Sequence, residues 1–161
     1  MTIAGAIRNS IFLLGTLALA ACGNPRMYDS FKPINGAWHQ DSVVQFVVPV
    51  ADNEETYAVS VKLRHNADYP YSNLYMFRTI SSVNGIEYQD TVNFTLADAT
   101  GKWLGNGIGE VKTMVWPYSR RGLKFTNTGK YTFTLQQGMR DTLLEGIMDV
   151  GLEINQITEE K

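Results

Sequence analysis

The sequence predicts an all-β domain, an antiparallel β-sandwich of about seven to eight strands. Apolar and polar residues alternate with a period of two over several separate stretches, which is typical of strands with one buried and one wet face. Clusters of Gly, Asn, Asp and Pro separate these stretches and favour turns. Strand and helix patterns do not alternate along the chain, which argues against a parallel sheet. A partly open β-barrel is the alternative architecture.

The strands are assigned in chain order. The first, 43–48, is apolar on both faces, whereas 57–64 alternates apolar and polar residues. Further strands are predicted at 74–80, 91–96, 110–116, 131–136 and 148–155. Their register places four aromatic residues in the core: Tyr75, Phe77, Tyr131 and Phe133. The single candidate for a helical turn is 136–144, which Gly138 and Gly146 bracket.

The N-terminal segment is predicted to be an export signal over residues 1–21. It carries one cation, Arg8, and an apolar stretch at 11–21 that ends in small residues. This stretch is shorter than the roughly 20 residues that a membrane-spanning helix needs. Cys22 follows directly and is the only cysteine of the chain, so it cannot form an intramolecular disulfide. We therefore predict lipid attachment at Cys22, a tether at 22–27 and a single β-sandwich domain at 28–161.

The composition argues against several classes of function. The net charge is −2 and the one adjacent basic pair is at 120–121, so we predict no nucleic-acid partner. Two histidines and an acylated cysteine cannot complete a structural zinc site, so no metal or cofactor is predicted. His65 falls in the apolar register of a strand and is expected to pack in the core, whereas His39 is expected to be exposed. The sequence contains no nucleophile-elbow or phosphate-loop spacing, and we predict that the protein is not an enzyme.

Aromatic residues offer an alternative based on binding. The candidates that could stack on sugar rings or anchor a protein partner are Trp38, Trp103 and Trp116, with Tyr75 and with Tyr69 and Tyr71, which flank a proline in a predicted loop. Packing against the core is the competing interpretation for each of them. A surface glycan-binding module is therefore the alternative to a protein-binding function.

The chain resembles a known family in several strings that occur in the same order over nearly its whole length. They include Tyr-Pro-Tyr-Ser-Asn-Leu-Tyr at 69–75 and Gly-Lys-Trp-Leu-Gly-Asn-Gly at 101–107, and continue at 90–98, 129–133, 137–140 and 146–152. With the cysteine in its place, these strings make the sequence similar to the GldH family of gliding-motility lipoproteins of Bacteroidetes.

The resemblance implies a non-catalytic, lipid-anchored envelope protein that assembles or stabilises the gliding-motility apparatus and the associated type IX secretion machinery. Its implied partners are the membrane, through acyl chains on Cys22, and other envelope lipoproteins or membrane proteins of the apparatus. No acidic run follows Cys22, which favours the periplasmic face of the outer membrane.

Two sets of candidate residues follow from the loops and from the resemblance. The candidate partner-binding residues are Tyr69, Tyr71, Trp103 and Arg140. Envelope proteins of these bacteria also resemble one another in carrying O-glycans at Asp-Ser/Thr followed by an apolar residue. That motif marks three candidate hydroxyls here: Ser42, Thr91 and Thr142.

Overall fold

The computed structural model describes residues 26–157, which form ten β-strands and no helix. In chain order these are β1 (Arg26–Pro33), β2 (Ala37–His39), β3 (Val44–Val50), β4 (Tyr57–His65), β5 (Asn73–Ser82), β6 (Gly85–Thr95), β7 (Lys112–Pro117), β8 (Gly129–Gln137), β9 (Leu143–Glu145) and β10 (Ile147–Gln156). The predicted export signal and Cys22 lie outside the described residues. No helix long and apolar enough to cross a membrane occurs among residues 26–157.

The strands form two open four-stranded sheets and one short two-stranded ribbon, and every pairing is antiparallel. The first sheet has the order β1-β10-β4-β7, and the second sheet has the order β3-β8-β5-β6. The ribbon pairs β2 with β9. This arrangement confirms the predicted antiparallel β-sandwich.

The core lies between the two sheets, because alternate residues of each strand point inwards. In β4 the inward side chains include Val59, Val61 and Leu63, all with 1% exposure or less. Across from them, β8 contributes Tyr131 and Phe133, as predicted. Each such side chain removes enough apolar surface from water to stabilise the fold by about 1.5–3 kcal/mol.

The structure corrects three expectations. β1, β2 and β9 were not among the predicted strands, and β1 begins at Arg26, inside the predicted tether. The predicted helical turn at 136–144 is instead the end of β8, a loop and the start of β9. Tyr75 and Phe77 are not core residues: they are 44% and 45% exposed on the outer face of the second sheet, because Leu74 and Met76 occupy the buried register of β5.

The sandwich has two different ends. The tether end carries the start of β1, the loops 51–56 and 118–128, and the β5–β6 turn at 83–84. These parts are joined there, since Tyr57 N donates to Leu123 O at 2.8 Å and the Thr126 hydroxyl bonds Glu87 at 3.2 Å. The opposite end, called the far end below, carries the loops 66–72, 96–111 and 138–142.

Candidate partner-binding site

A groove lies at the far end, on the outer face of the second sheet. It has a volume of about 520 Å³ and is lined by Tyr71, Asn73, Tyr75, Gly138, Met139 and Arg140. The start of β5 supplies one wall and the loop after β8 supplies the other. A second cavity of about 220 Å³ shares Gly138 and Met139 and extends past Phe77 towards Gln40 and Asp41. The two cavities adjoin at these shared residues, and together we call them the groove.

Gln137 builds the loop wall of the groove. Its side chain is buried, its Nε2 donates to the Asp141 carbonyl at 2.8 Å, and its Oε1 accepts from Met139 N at 2.8 Å. Gly138 N donates to Tyr75 O at 2.7 Å, which fixes this loop against β5. Because both hydrogen bonds of one buried amide serve the same loop, this amide fixes the loop wall of the groove.

Gly138 leaves room for two aromatic residues of the groove, Tyr75 and Phe77. A Cβ at this position would come within 3.2 Å of the Phe77 ring and 3.4 Å of the Tyr75 Cβ. The absence of a side chain therefore lets both residues pack against the loop backbone while their outer surfaces stay open to solvent.

Tyr71 is held in one orientation at the rim of the groove. Its hydroxyl donates to an Asp141 carboxylate oxygen at 2.7 Å, and this hydrogen bond raises the pKa of the phenol. Its ring makes an edge contact with Tyr69, with centroids 6.1 Å apart. Tyr71 therefore presents a neutral, fixed aromatic ring, a type of side chain that gives large contact area at low entropic cost.

A buried aromatic cluster supports Tyr71 from below. Tyr69 is buried and donates its hydroxyl to Asn73 O at 2.7 Å, and burial raises its pKa. The Trp103 ring lies 6.4 Å from Tyr69 and 4.6 Å from His65. Tyr69 is therefore a buried support for the Tyr71 ring. Trp103 is half-buried in the same cluster.

His65 is fully buried in this cluster, as the sequence predicted. Its Nδ1 lies 3.1 Å from Asn66 O, and its Nε2 makes no hydrogen bond within the part of the chain that the structure describes. Burial lowers the pKa of His65, and the nearby Lys112 charge acts in the same direction. The neutral imidazole thus acts as a packing group, whereas His39 is exposed.

Gly146 allows the 66–72 loop to pack against the start of β10. Its φ is 80°, and a Cβ there would lie 2.2 Å from the backbone nitrogen of Tyr69. Its carbonyl accepts a hydrogen bond from Asn66 N at 2.9 Å. The aromatic cluster therefore depends on a glycine in the left-handed region at this position.

The outer face of the second sheet, on which the groove opens, is built from uncharged side chains over most of its area. The cross-strand partners that share this face include Gln45, Val47, Tyr75, Phe77, Thr79, Thr91, Asn93, Thr132, Thr134 and Gln136, and the charged Lys130 lies on the same face opposite Pro49, towards the tether end. At its groove end, Arg140 is exposed and makes no ion pair within residues 26–157. The groove end of this surface therefore offers aromatic rings, a methionine and one guanidinium, side chains that are enriched in protein interfaces.

The outer face of the first sheet is charged and internally paired. Lys62 is buried there, pairs with Asp29 and lies 3.2 Å from Glu153. The Phe31 ring covers these groups, since Lys62 Nζ and the Arg64 guanidinium lie 4.6 and 4.3 Å from its centroid. Because these charges already have partners on their own face, this sheet is less suited to binding than the second sheet.

The predicted site residues are distributed as follows. Tyr71 and Arg140 line the groove, with Tyr69 and Trp103 behind it. The proposed glycan hydroxyls of Ser42, Thr91 and Thr142 are all exposed.

Sequence reasoning missed Tyr75, Phe77, Met139 and Gln137 as parts of the groove. The string 137–140 belongs to the family resemblance, but alternation of apolar and polar residues does not indicate that it faces β5. Among residues 26–157 no cluster of three or more metal-ligating side chains occurs.

Comparison with known proteins assigns the chain to a family. A family model described as GldH lipoprotein matches residues 26–154. The gliding motility lipoprotein GldH of Flavobacterium johnsoniae is 37% identical over 158 residues, which cover 93% of this chain and 98% of that protein. The gliding motility lipoprotein GldH homolog of Christiangramia forsetii is 35% identical over 151 residues, 89% of this chain and 92% of its own length. The chain therefore belongs to the GldH lipoprotein family.

Proposed function

We propose that this protein is a non-catalytic cell-envelope lipoprotein that assembles or stabilises the gliding-motility apparatus and the associated type IX secretion machinery. Family membership supports a lipid-anchored location in the envelope, and the relatives are named for gliding motility. The anchor in this proposal is Cys22, and the domain faces the periplasm from the outer membrane.

The groove is the surface through which this role is exercised. Its aromatic side chains stand on a face of uncharged residues, and Arg140 is available for a carboxylate or carbonyl of a partner. Buried Tyr and Arg contacts dominate the binding free energy of many protein interfaces, each contributing about 2 kcal/mol or more. The partner is therefore another envelope lipoprotein or a membrane protein of the apparatus that presents a complementary uncharged surface.

The proposal is tested by photo-crosslinking in living cells. A photoreactive phenylalanine analogue replaces Tyr75 in the groove in one strain and Val115 in another. Val115 is a matched control, because it is similarly exposed but lies on the outer face of the first sheet. We expect Tyr75 to capture an envelope protein of the apparatus and Val115 to capture none. Equal capture at both positions, or none at either, would contradict the assignment of the groove.

A genetic test addresses the role itself. In a deletion strain, the variant Tyr75→Ala/Arg140→Ala should reduce spreading and secretion to the level of the deletion while the amount of the lipoprotein in the membrane stays normal. Cys22→Ala should cause the same loss through mislocalisation. Normal spreading and secretion in the deletion strain itself would refute the proposed function.

A surface glycan-binding module is the second candidate function. It is favoured by Tyr71, Tyr75 and Phe77, whose rings line a groove rich in amide and hydroxyl groups, as sugar-binding sites often are. Calorimetric titration with envelope oligosaccharides should then show binding that Tyr75→Ala abolishes. A flat titration with the wild-type chain would count against this function.

Glycosylation of the protein itself remains a proposal. Ser42, Thr91 and Thr142 are exposed and therefore accessible to a glycosyltransferase. Mass spectrometry of the mature protein should find glycan on these hydroxyls, and unmodified peptides covering all three would rule the modification out.

A further inference from the structure

The β5–β6 hairpin exposes two large apolar side chains at the tether end. Val83 is 90% exposed at the turn, and Ile86 is 66% exposed one residue after it closes. The buried core of the sandwich does not include them. Two exposed apolar side chains so close in sequence leave apolar surface open to solvent at the tip of the hairpin.

The hairpin itself does not require these residues. The turn is formed by Val83 and Asn84, whose backbone N is bonded to the Ser82 hydroxyl at 3.1 Å, and Gly85 follows it at φ 114°. A β-branched residue such as Val83 is uncommon in a turn, where small polar residues are favoured. A polar residue at 83 would satisfy the turn equally well, so the fold itself does not select an apolar side chain there.

The length of the preceding chain determines what lies next to this end. Four peptide steps separate Cys22 from Arg26, where β1 begins, and a fully extended chain covers at most about 14 Å in that distance. Acyl chains on Cys22, which belong to the proposed function, therefore hold the tether end close to the bilayer surface. The far end, with the groove, then points away from it.

The hairpin and the tether lie at opposite edges of this end. β1 and β3 face each other across the sandwich through Tyr28 and Phe46, whereas β6 and β7 face each other through Phe94 and Trp116. Three strand spacings, about 14 Å, separate these two edges. A second membrane contact at the hairpin would therefore prevent the domain from tilting about its anchor.

We propose that the hairpin tip, Val83 with Ile86, inserts into the headgroup region of the bilayer that holds the anchor. Charge attraction is not the driving force, because the basic residues of this end are offset by acidic ones. The bases are Arg26, Arg120, Arg121, Lys124 and Lys130, and the acids are Asp52, Glu54, Glu55 and Glu87. The ligand is a lipid surface that need not be anionic, and it is recognised by removal of apolar side chains from water.

The experiment uses the full acylated chain reconstituted into phosphatidylcholine vesicles. An environment-sensitive fluorophore is attached to Val83→Cys, since acylation blocks Cys22 and leaves the introduced thiol as the single reactive one. The matched control is Ile108→Cys, a fully exposed apolar position in the 96–111 loop of the far end. Lipids with a nitroxide near the headgroup serve as the quencher.

We expect a blue shift and strong quenching at position 83 and neither at position 108. Adding Ile86→Asp should reduce the quenching at 83 while the chain stays bound to the vesicles, because a carboxylate opposes insertion. Equal quenching at both positions, or none at 83 on bound protein, overturns the inference and leaves the anchor intact. Failure of the wild-type chain to bind vesicles overturns the anchor and the inference together, so the two failures are distinguishable. Capture of a protein instead of lipid by a crosslinker at 83 in cells also overturns it.

Discussion

Replacing Gln137 with leucine should damage the groove without disturbing the sandwich around it. Gln137 is buried, and its amide makes one hydrogen bond to the Asp141 carbonyl and one to Met139 N, both at 2.8 Å. Leucine is close to it in volume but offers neither a donor nor an acceptor. The substitution therefore removes both bonds while keeping the space filled.

The expected loss of stability follows from those two bonds. A typical internal hydrogen bond contributes about 1 kcal/mol net, and a buried group left unsatisfied costs about 1–3 kcal/mol. Burial of the leucine side chain offsets part of this loss. We expect a decrease in the free energy of unfolding of about 2 kcal/mol, which corresponds to roughly 6 °C in Tm for a domain of this size.

Urea unfolding of the purified mature chain measures this decrease, and the same substitution at Gln45 is the control. Gln45 is exposed on the outer face of the same sheet, so Gln45→Leu should change stability by less than about 0.5 kcal/mol. Crosslinking from Tyr75 should also weaken in the Gln137 variant. Equal effects at Gln137 and Gln45 would refute the conclusion that the buried amide fixes the groove.

Three further changes test the parts that support the groove and the opposite face. Gly146→Ala should destabilise the fold by several kcal/mol, whereas Gly109→Ala should cost only about 1 kcal/mol. Both glycines have φ near +80°, but neighbouring atoms crowd only the Cβ position of Gly146. Thermal unfolding of the two variants measures the difference. Burial lowers the pKa of His65 in the folded protein, so the imidazole binds a proton more readily in the unfolded chain. The free energy of unfolding should therefore fall as pH drops below about 6.5 and level off below the folded-state pKa. Denaturation of the His65→Gln variant, measured across the same pH range, should show no such pH dependence of stability. Phe31→Ala should cost about 2 kcal/mol in urea unfolding by uncovering Lys62, and an unchanged midpoint would contradict the covering role of the ring.

Regular alternation allowed most of the fold to be predicted, and β1 shows where it fails. Tyr28 points into the core and Phe31 points outwards, so the large apolar residues of β1 do not all lie on one face of the strand. Phe31 faces outwards because it lies over Gly151 on the neighbouring strand, where a Cβ would approach its ring to 2.7 Å. This pairing joins residues far apart in the chain, and no local pattern indicates it.

The misplacement of Tyr75 and Phe77 has a similar origin. β5 carries apolar residues on both of its faces, and Arg78 lies on the face that the fold buries. A buried arginine is costly unless it is paired, so the sequence alone favours the opposite face of β5, with Tyr75 and Phe77, as the core face. In the structure Arg78 Nε bonds the cross-strand Asp90 at 2.9 Å and its guanidinium stacks 4.0 Å from the Tyr118 ring. That compensation depends on the register of two strands and becomes visible only in three dimensions.

The same strand connects the two surfaces to which this protein owes its proposed function. β5 begins at Asn73 in the groove and ends at Ser82 beside the hairpin turn, and ten residues at about 3.3 Å each span roughly 30 Å. With the hairpin at the bilayer, the groove stands about that far above the membrane surface. The proposed contact therefore favours as partner a folded domain of a neighbouring envelope protein over a lipid or a short membrane-proximal segment. In the proposed arrangement the anchor holds one end of the sandwich, a partner binds at the other end, and the sandwich acts as the spacer between them.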